Sequence, residues 1–508
     1  MTAATADDGP LATRRNWLGL AVIALPCLLY SMDLTVLNLA VPQLAEDLVP
    51  TAAELLWIVD IYGFFLAGAL ITMGTLGDRI GRRKLLMIGA AAFGAASVIA
   101  AFSTTAPMLI AARALLGLAG ATLAPSTLSL IRSMFLNGRQ RSFAIGVWIA
   151  CFAAGAAIGP LVGGVLLEHF WWGSVFLIAV PVMLLLLVLV PLLLPEFRDP
   201  NASRLDIPSA VLSMAAVLAV IYGVKRIAEG DALAVPITII LAGIGLGVVF
   251  IARQLRLDDP LIDVRLLRHG PMTAALLTNM IALFVPFGTF FFVSQYLQLV
   301  LGLGPLEAGL WMLPTGIALF AGSLASPFLA RRFGRTAVIV SAFLGAAIGF
   351  VLLAQLGPGA GSLPLVVTGV FIVALSLAPI PPITTDVVVG VTPVERAGAA
   401  SAISETSFEL GAALGIAVLG SIVAAFYRSA FLATAGANLP PDAVADARGT
   451  LGGALAIAET LPEPARTQLA ATARDAFSAG FAATALVCIG LSLAGAVLAL
   501  TALRTRSA

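Results

Sequence analysis

Fourteen apolar blocks follow one another along the chain, near residues 17–41, 52–73, 84–102, 107–131, 142–166, 172–194, 206–228, 234–252, 271–300, 305–330, 336–355, 362–387, 398–428 and 477–503. A run of roughly 20 residues almost free of charge spans the hydrocarbon of a bilayer as a helix, because there every backbone N–H and C=O must find its partner inside the segment. The blocks together take up most of the 508 residues, 60% of which are apolar and only 11% charged. Ordinary soluble domains run near 45–50% and about 25%. The chain is therefore expected to be an all-α polytopic membrane protein. The first block follows Arg14 and Arg15 in the manner of a secretory signal, but its length and the charge of Asp33 mark it as a retained span.

The basic residues test the count, since Lys and Arg collect on cytoplasmic connections and an error of one span would scramble the bias. With the N-terminus inside, the cytoplasmic segments hold Arg14 and Arg15; Arg79, Arg82, Arg83 and Lys84; Arg132, Arg139 and Arg141; Arg198 and Arg204; Arg253, Arg256, Arg265 and Arg268; Arg331, Arg332 and Arg335; Arg396; and Arg504 and Arg506, which is 21 of the 28. Of the rest, Arg113 is within a span, Lys225, Arg226 and Arg428 lie at outer helix ends, and Arg448, Arg466 and Arg474 occupy one long outer loop, 429–476. Both termini are expected in the cytoplasm. The outer loop reads as two short helices broken at Pro440, Pro441, Pro462 and Pro464, either a cap on the outer surface or a gate.

Enzyme classes find little support. His169 and His269 fall in loops far apart, and Cys27, Cys151 and Cys488 sit in apolar blocks with no pair spacing, so no hydrolytic set, metal site or disulfide is expected. No G-x-x-x-x-G-K-[ST] pattern is present to bind ATP, and no basic stripe to bind nucleic acid. No cofactor is expected.

Charges inside the blocks are the strongest functional pointers, because each costs at least roughly 2.5 kcal/mol in hydrocarbon and faces a cavity or a partner. Asp33, Asp60 and Arg113 lie about eight, eight and six residues from the outer ends of spans one, two and four. At about 1.5 Å per residue these depths agree within one turn, so the three are expected to meet across the N-terminal helices as a proton site. Glu405 and Glu409, spaced i and i+4, share a face of span thirteen and read as a proton carrier, a counter-charge for a cation, or the lining of a wet vestibule. Asp386 lies nearer the cytoplasmic end. Aromatics able to stack a planar cation include Trp57, Trp148, Phe284, Phe287, Phe291 and Tyr296, with Tyr62 and Trp311 the chosen cavity candidates.

Two glycine-bearing stretches have their own physics. Gly74-Thr75-Leu76-Gly77-Asp78-Arg79-Ile80-Gly81-Arg82-Arg83 joins spans two and three with close helix approach, a tight turn and a carboxylate beside arginines. Its first nine residues, Gly74–Arg82, lie over Pro327–Arg335, a weak repeat offset by 253 residues, and paired halves are how many secondary transporters build alternating access. The offset exceeds six helices, so spans seven and eight read as an insertion, giving 1–196 as one six-helix bundle, 197–264 as the inserted pair and 265–508 as the second bundle. In span five, Gly155, Gly159, Gly163 and Gly164 admit a close neighbour while Pro160 bends the backbone, a candidate hinge.

The first stretch resembles the loop signature of the major facilitator superfamily, with Gly74, Asp78, Arg79, Gly81 and Arg82 as its gating residues. Leu109–Gly120 is similar to the fourth-helix motif with its arginine at Arg113, Gly155–Gly164 to the antiporter motif of exporters, and Ser31–Pro42 to the first-helix motif of the fourteen-span drug:proton antiporters. The resemblance covers nearly the whole chain and is nearest to exporters of quaternary ammonium compounds and fluoroquinolones. It implies a proton-coupled antiporter of the bacterial cytoplasmic (inner) membrane, working as a monomer in lipid and exporting lipophilic, often cationic, drugs. Some members carry an acid in span ten tied to divalent cations, whereas Leu313–Phe320 has none here, which favours monocations or amphipathic drugs. A dedicated exporter of one metabolite or self-made antibiotic and a proton-coupled importer stay open as alternatives, the antiporter motif speaking against import.

Overall fold

The computed structural model describes residues 10–198, 206–229, 232–257, 260–261, 264, 270–357, 359–390, 397–434, 444 and 447–503. Of the features read from the sequence, Arg204, Arg265, Arg268, His269, Arg396, Pro440, Pro441, Arg504 and Arg506 lie outside the described residues. The helices are α1 Arg14–Leu48, α2 Ala52–Ile80, α3 Arg82–Ala101, α4 Ala106–Met134, α5 Gly138–His169, α6 Ser174–Leu177, α7 Ala179–Leu193, α8 Ile207–Glu229, α9 Ala234–Arg256, α10 Gly270–Gln295 with a π turn Tyr296–Val300, α11 Pro305–Phe333, α12 Arg335–Leu353, α13 Leu363–Leu377, α14 Ile380–Gly390, α15 Ala397–Thr434, α16 Leu451–Glu459 and α17 Ala465–Ala502.

Each apolar block falls on a helical rod, α6–α7 and α13–α14 each forming one. Among the described residues thirteen rods are long and apolar enough to cross a membrane, and α5, at 32 residues, contains the shorter apolar stretch Ala157–His169. The chain is a multi-pass membrane protein. Helix starts follow local chemistry: Thr51 and Glu54 form a reciprocal capping box on α2, and the side chains of Thr13, Thr105, Asn137 and Thr450 each accept an orphan backbone N–H at the start of α1, α4, α5 and α16.

Helices α1–α7 form one bundle and α10–α15 with α17 the other. The repeat seen in the sequence is visible in the backbone, where Gly81 between α2 and α3 (φ 111°) and Gly334 between α11 and α12 (φ 86°) make equivalent sharp corners in a region open to glycine. The bundles meet along α5–α11 and α2–α15. Both ends of the helical body share one face, since α1 starts and α17 ends there; Thr336 at the start of α12 donates to Leu503 O (2.8 Å). This face carries Arg83, Arg331, Arg332 and Arg335 and is called the Arg-rich face below. On the opposite face the bundles are tied by Ser294 Oγ donating to Asn38 O (2.5 Å) and Gln298 Nε2 to Leu39 O (3.1 Å).

The inserted pair α8–α9 is a hairpin that packs through α8 on the α2–α15 seam, while α9 shows Leu241, Ile244, Val248 and Val249 outward. α17 departs furthest in length from its block. α17 begins at Ala465, well before the predicted 477, and is 38 residues long, about 57 Å, so its first turns project beyond the hydrocarbon. Arg466 and Arg474 interrupt the apolar pattern there but not helicity, and Arg474 Nε instead donates to Leu299 O (2.9 Å).

Candidate functional site

Helices α1, α2 and α4 bring the first polar centre together. Arg113 on α4 is 1% exposed; its Nη1 is 2.6 Å from Asp33 Oδ2 of α1 and its Nε donates to Ile58 O of α2 (3.1 Å). The guanidinium lies 4.6 Å from the centre of the Tyr62 ring and 5.8 Å from that of Phe176. Such a cation, paired, hydrogen-bonded and roofed by aromatic rings, has exchanged its hydration shell for protein partners. Asp33 keeps 14% exposure on a small recess lined by Met32, Val36, Phe93, Val175 and Phe176.

Asp60 does not join this pair, contrary to the sequence expectation. Its partner is Lys225 of α8, whose Nζ is 3.1 Å from Oδ1 and 2.8 Å from Oδ2, both side chains being buried. A cation from the inserted hairpin reaches Asp60 instead. Lys225 was missed because a lysine four residues from a helix end ordinarily turns outward to the interface; its place inside an apolar block is the signal that points to it.

The second centre bridges the bundles. Glu409 of α15 is 2% exposed and accepts a hydrogen bond from Tyr30 Oη of α1, while Glu405, one turn nearer the Arg-rich face, is exposed. Tyr30 continues into an aromatic column: its ring lies 5.4 Å edge-on from Phe152, which lies 4.7 Å from Trp148, both on α5 and only partly buried, and 6.2 Å from Tyr62. On the other bundle Phe408 packs edge-on with Phe287 at 6.4 Å. Tyr30 escaped the sequence reading because nothing distinguishes a lone tyrosine in an apolar block. Of the two chosen aromatics, Tyr62 is fully buried beneath Arg113 and Trp311 is 41% exposed on α11. The open-faced rings beside the bridge are Trp148 and Phe152.

The loop motif folds on itself at the Arg-rich face. Arg82 Nη2 pairs with Asp78 Oδ1 (2.5 Å), and Arg79 is exposed. The carboxylate of Glu196, beyond α7, accepts from the backbone N–H of Arg83 (2.9 Å) and Lys84 (3.2 Å), capping α3, and sits where a Cβ on Gly81 would fall (2.6 Å). Gly74 faces Pro125 loosely at 3.9 Å. In the second bundle Arg335, the repeat's counterpart of Arg82, pairs with Asp386, which is exposed.

The span-five glycines seat two helices. A Cβ at Gly155 would lie 2.3 Å from Leu28 O, at Gly159 2.1 Å from Thr35 Oγ1 and at Gly163 2.8 Å from Val36 Cγ1, all on α1; at Gly164 it would lie 2.9 Å from Leu306 Cα on α11, whose Gly309 approaches Pro160 O in turn. The helix is thus pressed between α1 of its own bundle and α11 of the other. Close approaches across the seam reach inward to Gly63–Ala413 and Gly316–Ala157, near mid-depth. The described contacts close the bundles from there to the face opposite the arginines.

Comparison with known proteins agrees with this arrangement. The family model described as Major Facilitator Superfamily matches residues 23–415. The multidrug efflux pump LfrA of Mycolicibacterium smegmatis is 44% identical over 98% of this chain and 99% of its own length, and the methyl viologen resistance protein SmvA of Salmonella typhimurium 37% over 96% and 97%. The inward-facing, occupied crystal structure of a bacterial homologue of the human lysosomal transporter Spinster superposes with a TM-score of 0.69 at 16% identity, covering 97% of this chain and 98% of that one, a likeness of fold.

Proposed function

The chain belongs to the major facilitator superfamily, and on that premise we propose that this transporter exports lipophilic cationic drugs, such as quaternary ammonium compounds and ethidium, from the bacterial cytoplasm in exchange for protons. The Arg-rich face is the cytoplasmic one, and the conformation described, closed on the opposite side, is then the one that receives drug from within. The names of LfrA and SmvA, relatives matched along nearly their full length, support drug export.

The observation that carries the reading is the Tyr30–Glu409 bridge. It places a buried carboxylate at the junction of the two bundles, beside the partly open rings of Trp148 and Phe152. A carboxylate flanked by aromatic faces can hold a proton or an organic cation, and not both at once. Drug from the cytoplasm neutralises it and is released on the far side when a proton takes its place. Glu405 extends the negative surface toward the cytoplasm, and the Asp33–Arg113 pair, opened by protonation of Asp33, couples the N-terminal bundle to the same event. Asp60 is the third candidate acid. The loop motif around Asp78 and Arg82 and the α5 glycines with Pro160 serve as the joints about which the bundles rock. Each pH unit of inward gradient then supplies about 1.4 kcal/mol per proton.

The test is ethidium efflux from cells and proton release in inverted vesicles, with and without a protonophore. Proton flux into the cell in step with dye leaving it supports the reading. No dye movement under any gradient would sink the multidrug claim and leave an exporter of one dedicated compound.

A further inference from the structure

α8 is the member of the inserted hairpin that touches both bundles. Met214 occupies the space beside Gly68 of α2, where a Cβ would lie 2.3 Å from its Cγ, and Ile221 shares a buried apolar cluster with Phe64 of α2 and with Ala413 and Ala417 of α15. α2 and α15 also meet directly, through Gly63 against Ala413 and Leu56 against Gly420. If the bundles part on the far face, as the alternating-access reading on which this inference rests requires, that contact opens and α8 must stay with one side.

The chemistry of the two contacts is unequal. Against α15, α8 offers apolar side chains, and in a membrane an apolar contact can be replaced by lipid tails with small change. Against α2 it offers the Lys225 ammonium, 2.8 Å from Asp60 Oδ2 and 3.7 Å from the centre of the Trp57 ring, with the lysine and aspartate side chains 1% and 0% exposed. Pulling that pair apart strands two charges where neither has water. We propose that Lys225 is a positioning residue that clamps the inserted hairpin to the N-terminal bundle, so that α8 travels with α2 and slides over α15 during each transport cycle. The insertion is then a working part of the N-terminal bundle.

Spin labels at Ala53 on α2, Ile227 on α8 and Phe426 on α15, introduced pairwise into full-length protein lacking its native cysteines, test this by distance measurement while pH and ethidium are varied. The Ala53–Phe426 pair reports opening of the far side. With that distance changing, the expected result is a constant Ala53–Ile227 distance and a changing Ile227–Phe426 distance; the reverse overturns the inference and leaves alternating access intact. A fixed Ala53–Phe426 distance under all conditions overturns alternating access itself, and this inference with it. Combining Lys225→Met with Asp60→Asn removes the clamp without stranding a charge. The Ala53–Ile227 distribution is expected to broaden in that variant, and one as sharp as the parent's would show that the pair is not what holds α8.

Discussion

Replacing Tyr30 by phenylalanine removes one hydroxyl and leaves the ring in its column with Phe152 and Trp148. What is lost is the hydrogen bond to the Glu409 carboxylate across the bundle seam, in a place where neither group is open to water. A hydrogen bond to a charged group contributes roughly 1.5–3 kcal/mol net. Because the bond joins α1 to α15 in the conformation closed on the far side, its loss is expected to shift the balance toward the far-open conformation by about 10- to 150-fold. The shift should appear at alkaline pH without substrate, as a longer population in the Ala53–Phe426 distance distribution. Glu409→Gln should move it the same way, and the double variant no further than the larger single effect, since both act through one bond. An unchanged distribution in Tyr30→Phe, or strictly additive shifts, would refute the bridge as a tie between the bundles.

Other outcomes follow from the same geometry. Arg113→Met leaves the largely buried Asp33 without its cation and is expected to lower stability by about 3–5 kcal/mol, read as a lower melting temperature in detergent. Asp33→Asn is expected to abolish gradient-driven ethidium efflux while the protein still reaches the membrane; undiminished efflux would remove Asp33 from the coupling mechanism. Gly159→Ala puts a methyl 2.1 Å from Thr35 Oγ1, an overpacking expected to cost about 1–3 kcal/mol and to slow transport, with Thr35→Ala restoring part of the rate. At the Arg-rich end of the hairpin, burial pushes the Asp206 carboxyl up, but hydrogen bonds from Ser209 and Arg253 outweigh it and hold the group below its usual range. A carboxylate depressed on folding stabilises above its unfolded value and loses that contribution as pH falls through the folded one. Asp206→Asn is therefore expected to lower the melting temperature at pH 7, the difference from the parent shrinking as pH drops beneath the ordinary aspartate range.

The helices were legible because a bilayer enforces their length and apolarity, so each block of sequence has one physical reading. The corners at Gly81 and Gly334 were legible as a repeat for a similar reason, since a sharp turn with positive φ admits little besides glycine. Partners were another matter. Asp33 found Arg113 as depth alone suggested, yet Asp60 at the same depth found Lys225, because depth fixes one coordinate and the azimuth of each helix fixes the rest. Trp311 and Tyr62 were chosen for ring chemistry, which says nothing of the direction a ring faces; one is open and the other sealed. The length of α17 was lost to hydropathy, which measures burial in lipid and is blind to a helix continuing into water.

The interior charges divide unequally between the bundles, and that division has a mechanical consequence. In the N-terminal bundle and its hairpin each acid is matched by a base, Asp33 by Arg113 and Asp60 by Lys225. On α15, Glu409 has a neutral hydroxyl as its hydrogen-bond partner and Glu405 stands one turn away with the same sign. Two like charges so placed favour the arrival of a proton or a cation between or beside them. Once either arrives, the bond from Tyr30 is no longer made to a free carboxylate, and a neutral hydrogen bond is roughly half as strong as a charged one. The empty, ionised carrier is thus the one most firmly held closed on the far side, and loading by proton or drug loosens the same tie. The proposed exchange needs a rule of that kind, because a carrier that reorients empty dissipates the gradient; the tie between one tyrosine hydroxyl on α1 and one carboxylate on α15 opposes the outward turn of the empty carrier.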